Sequence, residues 1–300
     1  MINVIIPIIT IWIHGTRPTE CVPPFLKTAI CAIENVLFID QKNTGLVHIS
    51  KIVDREYISE LANSYCKNRE CQSKDFYFYA WSGKLDPKAR KEAATQLYKE
   101  LNELVQEYKN RCGVTPLIEI VTHSHGGNVA LLMAEQYQKD ETSFCVDRLI
   151  LLGCPVQKRT KTLISCPMFK KIYNIHSHND WIQVLDPQGI HLISSIEEKD
   201  LFDIMNNFFS ARHFDLVSDN LTEVHVRWDV RSDQSDVRRI LFPLWLQKRL
   251  EYAGKYPMKR GLFHIEFTLD PFARQLPGVI DQIEKQEMIG GQAEIEIILR

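Results

Sequence analysis

A mostly parallel α/β sheet with helices on both faces is the fold class this sequence predicts, and two observations predict it. Short runs rich in β-branched and aromatic residues recur along the chain, several ending in Gly, Ser, His or Asp. Between two of them lies a long stretch with apolar residues at three- and four-residue steps. Strands that alternate with helices in this way are joined by crossovers, and crossovers produce parallel pairing with helices packed on either side.

In chain order, "IITIWIHG" (8–15) is a continuous apolar run ending in glycine, as a strand covered on both faces requires. "DFYFYAW" (75–81) is aromatic-rich and reads as a second strand. Asp86 then offers a helix N-cap and Pro87 a first helical residue, after which Ala89, Ala93, Leu97, Leu101, Leu104 and Tyr108 share one face. "TPLIEIVT" (115–122) is a third strand, with a helix expected from Asn128 to Gln138. Further strands are expected over 146–156, 169–177 and 221–230. A final amphipathic helix carries Phe272, Leu276, Val279 and Ile280 on one face. The tail "GGQAEIEIILR" alternates like an edge strand, expected as an addition over 291–300.

With 300 residues, 45% apolar and 25% charged, the chain has enough interior for a single large domain over 1–300. A formal net charge of −2 gives no electrostatic reason to expect nucleic acid as a partner. The apolar start "MINVIIPIITIWIHG" lacks a basic n-region, contains a proline, and falls short of the roughly 20 residues that cross a bilayer, so no integral membrane segment is expected there. On that reading the protein is cytoplasmic, and its eight cysteines, at 21, 31, 66, 71, 112, 145, 154 and 166, are reduced thiols. None of them forms a C-x-x-C pair.

In a parallel sheet, reacting groups gather beyond the carboxyl ends of the strands, where loops converge on a rigid frame. Three polar clusters fall at such ends: His14-Gly15-Thr16, the knot "THSHGG" around Ser124, and "HSHND" ending at Asp180. A strand that turns into a helix with almost no loop needs small residues, and Gly126 and Gly127 supply them. The apex hydroxyl then sits at a helix N-terminus, where N–H groups help to stabilise a developing anion.

The segment Thr122-His123-Ser124-His125-Gly126 resembles the nucleophile elbow G-x-S-x-G of the α/β-hydrolase superfamily, with Thr122 in place of the first glycine. "HGT" at an earlier strand end, and "WSG" followed by "ARKEAATQLYKEL", resemble a lipase- or esterase-like subgroup over roughly residues 8 to 185. The resemblance implies a serine hydrolase of carboxylic esters or thioesters, small-molecule or lipid. Ser124 would be its nucleophile and the backbone N–H groups of Thr16 and His125 its oxyanion hole. It also implies the chain order serine, acid, histidine. Asp180 is the expected acid, with Asp186, before Pro187, as the alternative. His191, His213, His225 and His264 are eligible bases by order. His264, ahead of the last amphipathic helix, matches the superfamily pattern best, and His213 is the runner-up. His225, inside "TEVHVRW", reads as a strand-face residue.

Residues 181–220, which include "IMNNFF", are either a lid or acyl-chain wall or ordinary core. The paired "HSH" triplets at 123–125 and 176–178, with Asp180, raise a metal site, but no H-E-x-x-H spacing occurs and no metal is expected. No G-x-G-x-x-G follows a strand, so no cofactor is expected either. Two further readings use the same fold: an inactive binding protein, and an acyltransferase that delivers the acyl group to an alcohol.

Overall fold

The computed structural model describes residues 6–17, 44–52, 56–69, 75–140, 144–178, 180, 183, 211–228, 260–262, 267–268, 270–290 and 294–299. Among the described residues nine strands form one sheet: β1 (Ile8–Ile13), β2 (Gly45–His48), β3 (Phe76–Ala80), β4 (Leu117–His123), β5 (Arg148–Leu152), β6 (Ile172–His176), β7 (Leu221–Trp228), β8 (Arg260–Gly261) and β9 (Glu294–Leu299). Their spatial order is β2-β3-β1-β4-β5-β6-β7-β8, with β9 paired to β7 off that path. The pairs β3–β1, β1–β4, β4–β5, β5–β6, β6–β7 and β7–β9 are parallel; β2–β3 and β7–β8 are antiparallel. The helices are α1 (Glu56–Arg69), α2 (Pro87–Cys112), α3 (His125–Leu132), α4 (Ala134–Tyr137) and α5 (Asp270–Gly290). This is the mostly parallel sheet with helices on both faces that the strand and helix pattern implies.

Because side chains alternate along a strand, a sheet covered on both sides must split each strand's apolar residues between two cores. The split is visible here. Ile9, Ile11 and Ile13 of β1, Ile118 and Ile120 of β4, and Leu149 and Leu151 of β5 pack with Leu97, Leu101 and Val105 of α2 and with Val129 of α3. Their neighbours Trp12, Val121, Ile150 and Leu152 point to the other face, against Tyr65 of α1 and Phe272, Leu276 and Ile280 of α5.

Helix α2 begins and ends as its sequence dictates. Asp86 accepts the Lys88 N–H at 2.9 Å, Pro87 occupies the first turn, and Gly113 closes the helix at φ 71°, donating its N–H to the Lys109 carbonyl at 2.9 Å. Of the expected face, Ala93, Leu97, Leu101 and Tyr108 are buried, while Ala89 and Leu104 are half-buried. Arg90, Ala94, Tyr98 and Val105 widen the stripe, because a long helix lying on a sheet buries more than one row.

In α5, Phe272, Leu276, Val279 and Ile280 are all buried, as the periodicity requires, with Pro277 inside the helix. The alternating tail forms β9, with Ile295, Ile297 and Leu299 buried and Glu294, Glu296 and Ile298 exposed. The helix expected over 128–138 instead starts at His125 and breaks at Met133. Most of the segment expected as a lid or wall, 181–220, lies outside the described residues; 211–220 is described and leads into β7.

Candidate active site

Strand β4 passes into α3 through a single residue, Ser124. Its backbone has φ 52° and ψ −132°, a conformation that residues with a side chain rarely adopt, and it is one of two such non-glycine residues among those described. Strain of this kind costs of order 1–3 kcal/mol and persists only where the surroundings over-determine it. Here they do so by close packing. A Cβ on Gly126 would stand 2.6 Å from the His14 carbonyl oxygen and 2.8 Å from that of Ile13, both main chain. One on Gly127 would stand 2.5 Å from Cys154 Sγ, and one on Gly15 would stand 2.7 Å from Ser124 Cβ. Helix α3 thus enters directly against the ends of β1 and β5, and the serine is pinned from both sides.

A serine before a helix ordinarily caps it, its oxygen accepting an N–H of the first turn. Ser124 makes no such side-chain capping bond, and its own N–H goes to the Leu152 carbonyl of β5 at 2.9 Å. Its side chain therefore stays at the carboxyl end of β4, only 7% exposed, at the start of α3. Thr122, which departs from the elbow motif, is fully buried and donates its hydroxyl to the Ile150 carbonyl at 3.1 Å. The hydroxyl is absorbed by the neighbouring strand, so threonine fits where the pattern has glycine.

The turn after β1 is held by its histidine. The Trp81 N–H donates to His14 Nε2 at 3.3 Å, and His14 Nδ1 donates to the Gly15 carbonyl at 2.7 Å, which fixes one neutral tautomer. Burial, with the Arg17 charge adding to it, lowers the pKa of this imidazole from 6.5 to about 4. The Trp81 indole N–H donates to the His14 carbonyl at 2.8 Å, and the Arg17 N–H to the Gly83 carbonyl at 3.0 Å. Thr16 lies in the chain between the anchored His14 and Arg17. His125 is the first residue of α3. Its ring Nδ1 lies 3.2 Å from Gln157 Nε2, and Gln157 belongs to a buried set with Asn128 and Thr160 that also grips the Pro155 carbonyl.

Asp180 is fully buried just past β6, the second strand over from β4. Strands stand about 4.8 Å apart, so roughly 10 Å separate β4 from β6, a gap that a serine and an aspartate can bridge through one imidazole. Asp180 Oδ1 accepts the Gln183 N–H at 3.0 Å, and its carbonyl accepts from Arg212 Nε at 3.2 Å and Nη2 at 2.9 Å. Asp186, His191 and His264 lie outside the described residues. The chain just before His264 is described: the Leu262 N–H donates to Ser177 Oγ at 2.7 Å, beside the end of β6.

His213 and His225, the other eligible bases, join a cluster instead. His225 is buried on β7, opposite His176 of β6 in the strand register, as its alternating context implies. The ring centroids of His176 and His213 are 4.3 Å apart, those of His176 and His225 5.5 Å, and those of His178 and His225 4.0 Å. Burial and the neighbouring histidines lower the pKa of His176 to about 2; burial lowers that of His225 to about 4. Glu223 stands among them, its acidity weakened by burial. Sequence reasoning missed this grouping, and also Gln157, Gln183 and Arg212, because residues from separate segments meet only once the sheet has formed.

No family model matches the chain, and no curated protein matches it. Among solved structures, it is similar to a hyperthermophilic esterase from the archaeon Pyrobaculum calidifontis, at 12% identity and TM-score 0.38, over 97% of this chain and 78% of that one. It is also similar to an arylesterase, at 11% identity and TM-score 0.39, over 94% and 77%. A third similar structure is an alpha/beta hydrolase superfamily protein from Enterococcus faecalis, at 12% identity and TM-score 0.29, over 93% and 91%. The fold itself is defined by its strand order and its strand–helix junction.

Proposed function

We propose that this protein is a serine hydrolase that cleaves a carboxylic ester or thioester. One observation carries the reading: a non-glycine residue bearing a hydroxyl is held at φ 52° between β4 and α3, with Gly15 packed against it and Gly126 and Gly127 seating the helix start on the ends of β1 and β5. Ser124 Oγ attacks the carbonyl carbon while His264 takes its proton, and Asp180 orients the imidazole. The backbone N–H groups of Thr16 and His125 stabilise the tetrahedral oxyanion. His264 then returns the proton to the leaving alcohol or thiol, and water, deprotonated by the same histidine, releases the acid from the acyl enzyme. The support for Asp180 is its full burial at the end of β6. The support for His264 is its place in the chain, two residues beyond a residue tied to Ser177.

A fluorophosphonate probe tests the serine directly. Wild-type protein is expected to take up one label per chain and Ser124→Ala none. Folded wild-type protein that stays unlabelled would leave only the inactive binding reading of the fold.

A further inference from the structure

We infer that His176, His213 and Glu223 bind a first-row divalent cation of the zinc class, at a site separate from Ser124. The three side chains bring one ligand atom each to within 4.8 Å of one another. His176 Nε2 stands 3.6 Å from Glu223 Oε2, and His213 Nδ1 stands 3.8 Å from the same oxygen. These spacings are too long for hydrogen bonds. They lie close to the roughly 3.4 Å that separates neighbouring ligands around a tetrahedral zinc with bonds of about 2.0–2.1 Å.

His176 supplies the second, independent indication. It is fully buried, and neither of its ring nitrogens has a hydrogen-bond partner among the described residues. A buried imidazole without a partner calls for a ligand that the ring can serve. The carboxylate is already aimed. Asn174 Nδ2 donates to Glu223 Oε2 at 2.7 Å, and the Phe214 N–H donates to Oε1 at 3.0 Å, the outer-sphere support that metal-binding carboxylates depend on. Two imidazoles and one carboxylate suit zinc, with water at the fourth position. The half-exposed side of His213 gives the ion a route in, since its side chain is 39% exposed while that of His176 is 1% exposed.

The sequence raises a metal only at the "HSH" triplets with Asp180, and the expectation there is of none; the structure instead brings His176 together with a residue of β7 and one from the segment before it. That segment has a task. Arg212, next to His213, donates to the carbonyls of both Asp180 and His178. An ion on His213 fastens 211–214 to β6 and β7, and through Arg212 it steadies the backbone of Asp180. The binding claim itself stands independently of the hydrolase reading.

The test uses the full chain, stripped with a chelator and dialysed. Zinc titrated against a chromophoric competitor is expected to bind at one equivalent, and cobalt in its place is expected to show the visible bands of a tetrahedral site without a thiolate charge-transfer band. Glu223→Gln, which keeps the shape of the side chain, and His213→Ala, at a half-exposed position, are each expected to weaken binding by more than the roughly 10- to 100-fold that loss of an outer-sphere partner costs. Ser124→Ala is expected to bind as wild type does. Failure of wild type to bind, unchanged affinity in both ligand variants, or a cobalt spectrum dominated by thiolate would each overturn the inference.

Discussion

The two ends of the candidate site are built by different means. At β1 and β4 the geometry is made by main chain: glycines in near-contact with carbonyl oxygens, a strained serine, and a turn locked by one neutral histidine. At β6 and β7 it is made by side chains: Asp180 gripped through Arg212 and Gln183, and histidines gathered around Glu223. Main-chain geometry is set by local sequence, whereas a side-chain assembly needs several strands in register first. The first end should therefore be intolerant of small changes in shape, and the second should be adjustable, through charge and bound ions.

The largest test of that contrast is removal of the proposed nucleophile and the proposed base. Ser124→Ala and His264→Ala are each expected to lower kcat on a p-nitrophenyl ester by about 10⁴-fold or more, with little change in KM. His213→Ala, in the adjustable half, should stay within about 10-fold of wild type. Equal losses from His213→Ala and none from His264→Ala would move the base into the histidine cluster.

Next in size is a change of one methyl group at the rigid end. Gly126→Ala places a Cβ against two carbonyl oxygens, at 2.6 and 2.8 Å, which cannot rotate away. Overpacking of this kind costs about 1–3 kcal/mol. A displacement near 1 Å at the elbow is expected to reduce turnover by about 100-fold, read alongside the denaturation midpoint. Wild-type activity in this variant would mean that the close approach has no catalytic consequence.

The locked turn is testable through pH. His14 titrates near 4 in the folded state and near 6.5 when unfolded. Above 6.5 the ring is neutral in both states. As pH falls from 6.5 towards 4 the unfolded chain takes up a proton that the folded one refuses, so stability is lost, by roughly 3 kcal/mol at most, and the loss levels off below 4. Denaturant unfolding across that window should show a shallower decline in His14→Gln than in wild type. The smallest effect belongs to Thr122→Gly, which removes one hydrogen bond, worth about 1 kcal/mol, and should leave the fluorophosphonate labelling rate within a few-fold.

The same contrast explains what the sequence could disclose. The strand–helix alternation, Asp86 and Pro87 opening α2, and the face of α5 follow from local periodicity and capping, and the structure has them. The elbow was legible from Ser124 and the two glycines. The helix after it starts three residues ahead of the expected Asn128, at His125, with Gly126 packed on the end of β1 and Gly127 against Cys154. The Glu223 cluster left no local trace, since His176, His213 and Glu223 come from three segments that only strand register unites.

Strand β9 pairs only with β7 among the described residues, and it alternates buried aliphatics with the exposed Glu294 and Glu296. A second chain laid alongside it in the same fashion would bring carboxylates against carboxylates. The border of the sheet thus carries its own deterrent to stacking into fibres, and neutralising those glutamates is where a tendency to aggregate would first emerge.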